Sequence, residues 1–191
     1  MNINNLGKTL LCAYRHLEAI TNAYEKLIKK IALNSIYSSI SGPNNTFSVT
    51  NKMLDLLDKK EKYLNLKVIC EKTILNLNDE DKKILCLIYF DNVNYTMCAK
   101  LLNISVRTFF RRKQTAIANF CFQLEKLGYD EKYFLKNYFD DQIFIEYYNL
   151  VESSGKKKLK ENQVDALEDK LVFKMINRIE KSYTLKKAYG Y

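Results

Sequence analysis

Between Leu101 and Phe120 the chain reads LLNISVRTFFRRKQTAIANF. Four of these side chains, Arg107, Arg111, Arg112 and Lys113, are cationic, and none is acidic. A solvated helix ordinarily mixes both signs, because opposite charges three or four residues apart stabilise each other. A run of one sign asks instead for a partner of the other sign. The chemistry on offer is recognition of a polyanion by guanidinium, ammonium and hydroxyl groups.

The element that must carry these groups is a helix. At about 100° per residue, Val106, Phe109, Phe110, Ala116, Ile117 and Phe120 fall together as one apolar face. Arg107, Thr108, Arg111, Arg112 and Thr115 fall on the opposite side. Lys113 lies in the apolar sector, where its stem packs and its ammonium reaches out to water. Ahead of this helix, Asn103 suits a left-handed turn and Ser105 an N-cap, and the short helix YTMCAKLL precedes both. Helix, tight corner and second helix make up the helix-turn-helix plan, with the cations and hydroxyls where a recognition helix meets DNA.

Other chemistry finds little material. The five cysteines, Cys12, Cys70, Cys86, Cys98 and Cys121, form no Cys-x-x-Cys pair and are odd in number. With a single His16 they suit small buried hydrophobes in a reducing compartment better than a zinc site. No Gly-rich phosphate loop occurs, and no Ser or Cys can be assigned to His16 as a nucleophile. The acid pairs Asp79/Asp81 and Asp140/Asp141 read as helix caps or solvated groups. No catalytic residue, metal or cofactor is therefore assigned. The expectation is not an enzyme.

Composition bounds the fold. Five Gly and one Pro among 191 residues leave little for the many turns of a sandwich or barrel, while 47% apolar residues suffice for a core. The net charge of +9 favours polyanionic partners in general. The N-terminus lacks a signal-peptide pattern, and ILCLIYF is far shorter than a membrane span, so the expected location is cytoplasmic, away from membranes.

Along the chain, Leu10, Tyr14, Leu17, Thr21, Tyr24, Ile28 and Ile31 recur at spacings of four and three, the seam of a long helix. NSIYSSISGPNNT reads as a loop. A second helix is expected from about Ser48 to Leu77 through Val49, Met53, Leu56, Leu57, Tyr63, Leu64, Cys70, Ile74 and Leu77. Two such helices most simply form an antiparallel hairpin, a packing or oligomerisation device. Asn78 then caps an acidic-started helix, NDEDKKILCLIYF. Beyond Gly128, YDEKYFLKNYFDDQIFIEYYNL reads as an aromatic-cored helix or helix pair, ESSGKKKLKENQ as a linker, and the remainder as one more helix through Val164, Leu167, Leu171, Met175 and Ile179.

The segment Asn78 to Leu124, about a quarter of the chain, resembles the DNA-binding region 4 of sigma factors. The likeness is carried by LNDEDKKILCLIYF, Ala99, LLNIS, and RTFFRR followed by Ala116. With the long helix, the SGPNNT loop and the second long helix before it, the order is similar to the phage late-gene regulators of the RinA and ArpU kind. That resemblance implies a module that binds DNA near a promoter and helps RNA polymerase transcribe phage genes. By position it implies base or phosphate contacts from Ser105, Arg107, Thr108, Arg111 and Arg112, with Lys100 on a flanking phosphate. Arg can grip guanine or phosphate through two hydrogen bonds, and the hydroxyls can reach the backbone.

The expected fold is all-α: an N-terminal helical hairpin over residues 1–77, a helix-turn-helix module over 78–128, and a helical C-terminal extension over 129–191 with a linker near 152–162. The expected function is that of a duplex-DNA-binding transcriptional regulator acting with RNA polymerase, with homo-oligomer contacts through the hairpin or the C-terminal helices. Two alternatives share this frame. One is a phage DNA-packaging recognition subunit of the small-terminase type, forming a ring of copies. The other is an adaptor or inhibitor that binds a polymerase or nuclease.

Overall fold

The computed structural model describes residues 2–38, 44–157, 167 and 169–179, and every regular element among them is helical, as the composition leads one to expect. In order these are α1 (Ile3–Ser38), α2 (Asn44–Leu75), α3 (Asp79–Leu85), a π-helical turn (Cys86–Phe90), α4 (Tyr95–Leu101), α5 (Val106–Lys126), α6 (Glu131–Tyr138) and α7 (Gln142–Lys157). A further helical stretch covers 169–179. Packing groups Met1–Arg15 with Leu66–Val164, and His16–Asn65 with Asp165–Tyr191.

In the first unit α5 is the central element. Phe109, Ala116, Ile117, Phe120, Cys121 and Leu124 form its buried stripe, met by Ile84 and Leu85 of α3 and by Cys98 and Ala99 of α4. Val106 and Phe110, expected on that face, are part exposed, since only the seven-residue α4 lies beside the first turn of α5. Phe110 keeps a partner there, with its ring centroid 5.3 Å from that of Tyr95.

The first turns of α1 also pack on α5. At Gly7 the two helices approach so closely that a Cβ would overlap Cys121 Sγ unless that thiol shifted. Farther along α1, Tyr14 donates a hydrogen bond to Glu71 of α2 at 2.8 Å and stacks on Phe90 with centroids 3.7 Å apart. Phe90 sits in the π-helical turn, where the Asp91 N–H reaches back to the Cys86 carbonyl and Asn92 takes a positive φ of 51°. None of the five cysteines is in a disulfide, and burial pushes the Cys70 thiol up and that of Cys121 up to about 11. Those thiols stay protonated near neutral pH and act as packing groups.

The aromatic-rich segment forms a helix pair. Asp130 caps α6 by accepting the Tyr133 N–H, and Asp141 accepts the N–H groups of Ile143 and Phe144 at the start of α7. Two of the acids that interrupt the aromatic run, Asp130 and Asp141, are thus helix caps. Between the two helices Phe134, Tyr138 and Phe144 are buried, with ring centroids 5.4 to 6.0 Å apart.

In the second unit Glu25 of α1 takes Lys29 at 2.7 Å and Lys60 of α2 at 3.0 Å, and these hydrogen bonds hold its carboxyl down to about 2. The Tyr24 and Tyr63 rings lie 5.9 Å apart beside that bridge. His16 faces Asp169 at 3.6 Å.

Several boundaries differ from the sequence expectation. Helix α1 continues through Ser38 and α2 begins at Asn44, so much of NSIYSSISGPNNT is helical, and residues 39–43 lie outside the described residues. Leu57 and Leu64, expected in the packed stripe of α2, are exposed, because one neighbouring helix covers one stripe while leucine spacing alone marks no particular side. Residues 152–157, expected in a linker, continue α7, and the Ser153 and Ser154 hydroxyls return to the Leu150 carbonyl. The rest of that linker, together with Val164, lies outside the described residues. In the last helical stretch Met175 and Ile179 are buried as expected, joined by Val172, whereas Leu167 is exposed.

Gly7→Ala tests the α1–α5 contact. On helix propensity alone it should stabilise by about 0.5–1 kcal/mol. Because the new methyl meets Cys121 Sγ, we expect urea denaturation to report a loss of about 1–3 kcal/mol instead. Cys121→Ala in the same chain should recover part of that loss.

Candidate nucleic-acid interface

The outward face of α5 is set by what holds its inward face. Asn78 caps α3: its side-chain oxygen accepts the Asp81 N–H at 2.8 Å, and its amide donates to Asp81 Oδ2 at 2.7 Å. Asn119 of α5 donates to the same Oδ2 at 2.6 Å. Asp81 is only 6% exposed, and a carboxylate so buried requires such donors. The three side chains lock α5 to α3 at one rotation.

Helix α4 is locked to α5 by the corner between them. The Ile104 N–H bonds the Ala99 carbonyl and the Asn103 N–H that of Lys100, each at 3.0 Å, with Asn103 at φ 53°. This is a Schellman closure with asparagine in the left-handed position. Ser105 then caps α5, accepting the Thr108 N–H at 3.1 Å, and the two hydroxyl oxygens lie 2.8 Å apart. The left-handed Asn103 and the Ser105 cap both match the sequence expectation.

With that frame fixed, the six expected site residues can be located. Arg107 and Arg111 are exposed on the outward face of α5, and among the described residues their guanidinium groups have no hydrogen-bond or ion-pair partner. Ser105 is exposed and Thr108 half-buried at the helix start, while Lys100 is exposed in the last turn of α4. Two hydroxyls share one mutual hydrogen bond, so whichever one donates it, a second O–H proton remains for an outside acceptor.

Arg112 departs from the group. It forms an ion pair with Glu80 of α3 and braces α5 on that helix. The run is without acid only in sequence: its carboxylate partner stands 32 residues upstream, in a first turn where Glu80 also favours the α3 dipole. Lys113 behaves as its sector implies, with its ammonium 5.6 Å from the Tyr89 ring centroid.

Two further residues border this face and went unread in the sequence. Gln114 is exposed one turn beyond Arg111 and two beyond Arg107, a spacing of three and seven that marks one helix face. Lys8 of α1 joins Lys113, Tyr89, Phe110 and Gln114 around a cleft of about 520 Å3 on the flank of α5. No local signal could have brought in Lys8, which lies about a hundred residues upstream. Among the described residues no three His, Cys, Asp or Glu side chains gather to hold a metal ion, and no helix is long and apolar enough to cross a membrane.

The arrangement provides two guanidinium groups that no described residue pairs, a carboxamide and hydroxyl donors on one helix face, with Glu125 in the last turn as the helix's one acid. Its chemistry is that of anion and base-edge binding. Comparison with protein-family models, curated proteins and solved structures finds no match.

Ser105 carries two roles that separate by substitution. Ser105→Ala removes the cap and should cost about 0.5–2 kcal/mol in chemical denaturation, whereas Ser105→Asp keeps a capping oxygen with a charge suited to the helix dipole and should stay close to wild type.

Proposed function

We propose that the chain is a duplex-DNA-binding transcriptional regulator of the sigma-region-4-like phage kind that its sequence resembles, acting beside RNA polymerase. The observation that carries the reading is the pair Arg107 and Arg111, exposed and, among the described residues, without acidic partners on a helix whose other face is packed. A buried or bridged arginine pair would have given no such reason.

In this reading the α4–α5 corner is a helix-turn-helix, and the first half of α5 enters the major groove. Arg107 and Arg111 reach guanine edges or phosphates, and Gln114 has the donor and acceptor pattern that pairs with adenine. Ser105, Thr108 and Lys100 hold the flanking phosphates and fix the register of the helix in the groove. Arg112, through Glu80, keeps α5 at the rotation this requires. Occupancy of a promoter-proximal site, combined with protein contacts to polymerase, would raise transcription.

Fluorescence anisotropy compares a labelled duplex from the region upstream of the protein's own gene with a shuffled duplex of the same composition. Wild type should prefer the upstream duplex, and Arg107→Ala/Arg111→Ala should weaken that binding by about tenfold to a hundredfold at unchanged helicity. Ser105→Asp, stable but negatively charged at the groove, should weaken it too. Equal binding to both duplexes, untouched by the arginine changes, would remove α5 as the reading element.

A further inference from the structure

Helix α2 carries a second apolar stripe that the packing on α1 leaves uncovered. Phe47, Leu54, Leu57 and Leu64 are 75%, 52%, 44% and 42% exposed, all within the unit formed by His16–Asn65 and Asp165–Tyr191. With Thr50 and Glu61 between them, also exposed, the positions 47, 50, 54, 57, 61 and 64 alternate spacings of three and four. That is an unbroken run of a and d positions in heptad register, two and a half repeats long. The packed side of α2 is another stripe, where Tyr63 is buried and Lys60 bridges to Glu25. A rigid helix, held along one face, thus offers a coiled-coil seam on the other. Asp55, Asp58 and Lys59 beside the seam are exposed and make a polar rim.

The polar positions decide the occupant. An antiparallel pairing of two α2 helices about the midpoint between Asp55 and Leu56 sets Phe47 against Leu64′, Leu54 against Leu57′, and Thr50 against Glu61′, where primes mark the second copy. Every apolar side chain between Phe47 and Leu64 in the seam meets an apolar one, and its carboxylate faces the small polar side chain of Thr50′ and not a leucine. Sliding the pair by one heptad sets Glu61 against Leu57′ or leaves it with no residue of α2 opposite. A parallel pair in register sets Glu61 against Glu61′, a like-charge contact in the seam. One symmetric arrangement therefore sets polar against polar and apolar against apolar, and it is isologous.

We propose that this stripe is the contact face of a homodimer, in which α2 pairs antiparallel with α2 of a second copy of this chain. The face is independent of α5 and of what α5 binds. Pairing α2 helices in this way would give two copies a two-fold axis through the middle of the stripe.

Sedimentation equilibrium of the full chain at micromolar concentration tests the proposal. Wild type should give twice the 22.5 kDa chain mass, and Leu54→Glu/Leu57→Glu should give the chain mass itself at unchanged circular dichroism. Thr50→Lys tests direction and register: it places a cation opposite Glu61′ twice per dimer and should tighten association about threefold to tenfold. In a parallel pair the same change sets Lys against Lys and loosens association. A monomeric wild type, a dimer that survives the double glutamate change, or weaker association of Thr50→Lys would each overturn the proposal.

Discussion

The buried carboxylate of Asp81 is the constraint on which the described geometry of α5 rests. A charge at 6% exposure must be met by donors, and Asn78 at the start of α3 and Asn119 in the middle of α5 supply them. Because both amides converge on one oxygen, α5 has little freedom to roll or slide on α3. Glu80 and Arg112 add a second tie between the same helices nearer the solvent. The phenylalanines of α5 then find one set of neighbours, and the opposite face is left with Arg107, Arg111 and Gln114.

That division of labour along a single helix explains why the cationic run is not uniform in role. Arg112 and Lys113 hold position, one through a carboxylate and the other over a ring, while Arg107 and Arg111 are exposed and pair with no other described residue. The corner before them is equally determined: Asn103 turns left-handed, Ser105 caps, and the cap leaves a hydroxyl proton to give away. Rigid presentation of a few donors is what recognition of a regular polyanion needs, since each group ordered beforehand loses less entropy on binding. The proposed DNA reading rests on this preorganisation together with charge.

Much of this was legible in the sequence, and the part that was not has physical reasons. Asn78, Asn103 and Ser105 could be assigned because caps and left-handed turns depend on a few adjacent residues. The buried stripe of α5 followed from its period, although Val106 and Phe110 show that a period cannot say where the covering neighbour ends. Glu80 could not be matched to Arg112, nor Asp81 to Asn119, because such pairs depend on how distant helices meet. Gln114 could have been found by extending the face of Arg107 and Arg111 one turn. The exposed stripe of α2 was misread for the opposite reason: its leucines have helical spacing, and spacing alone cannot separate a packed seam from an open one.

The most direct test of the central claim, that the outward face of α5 binds a duplex through Arg107 and Arg111, is the salt dependence of duplex affinity. Each phosphate neutralised contributes about −0.9 to the slope of log affinity against log salt on B-form DNA. The wild-type chain should show a steep negative slope that flattens by about 1 to 2 in Arg107→Ala/Arg111→Ala. A slope that is the same in both proteins would place the binding charge elsewhere and contradict the account.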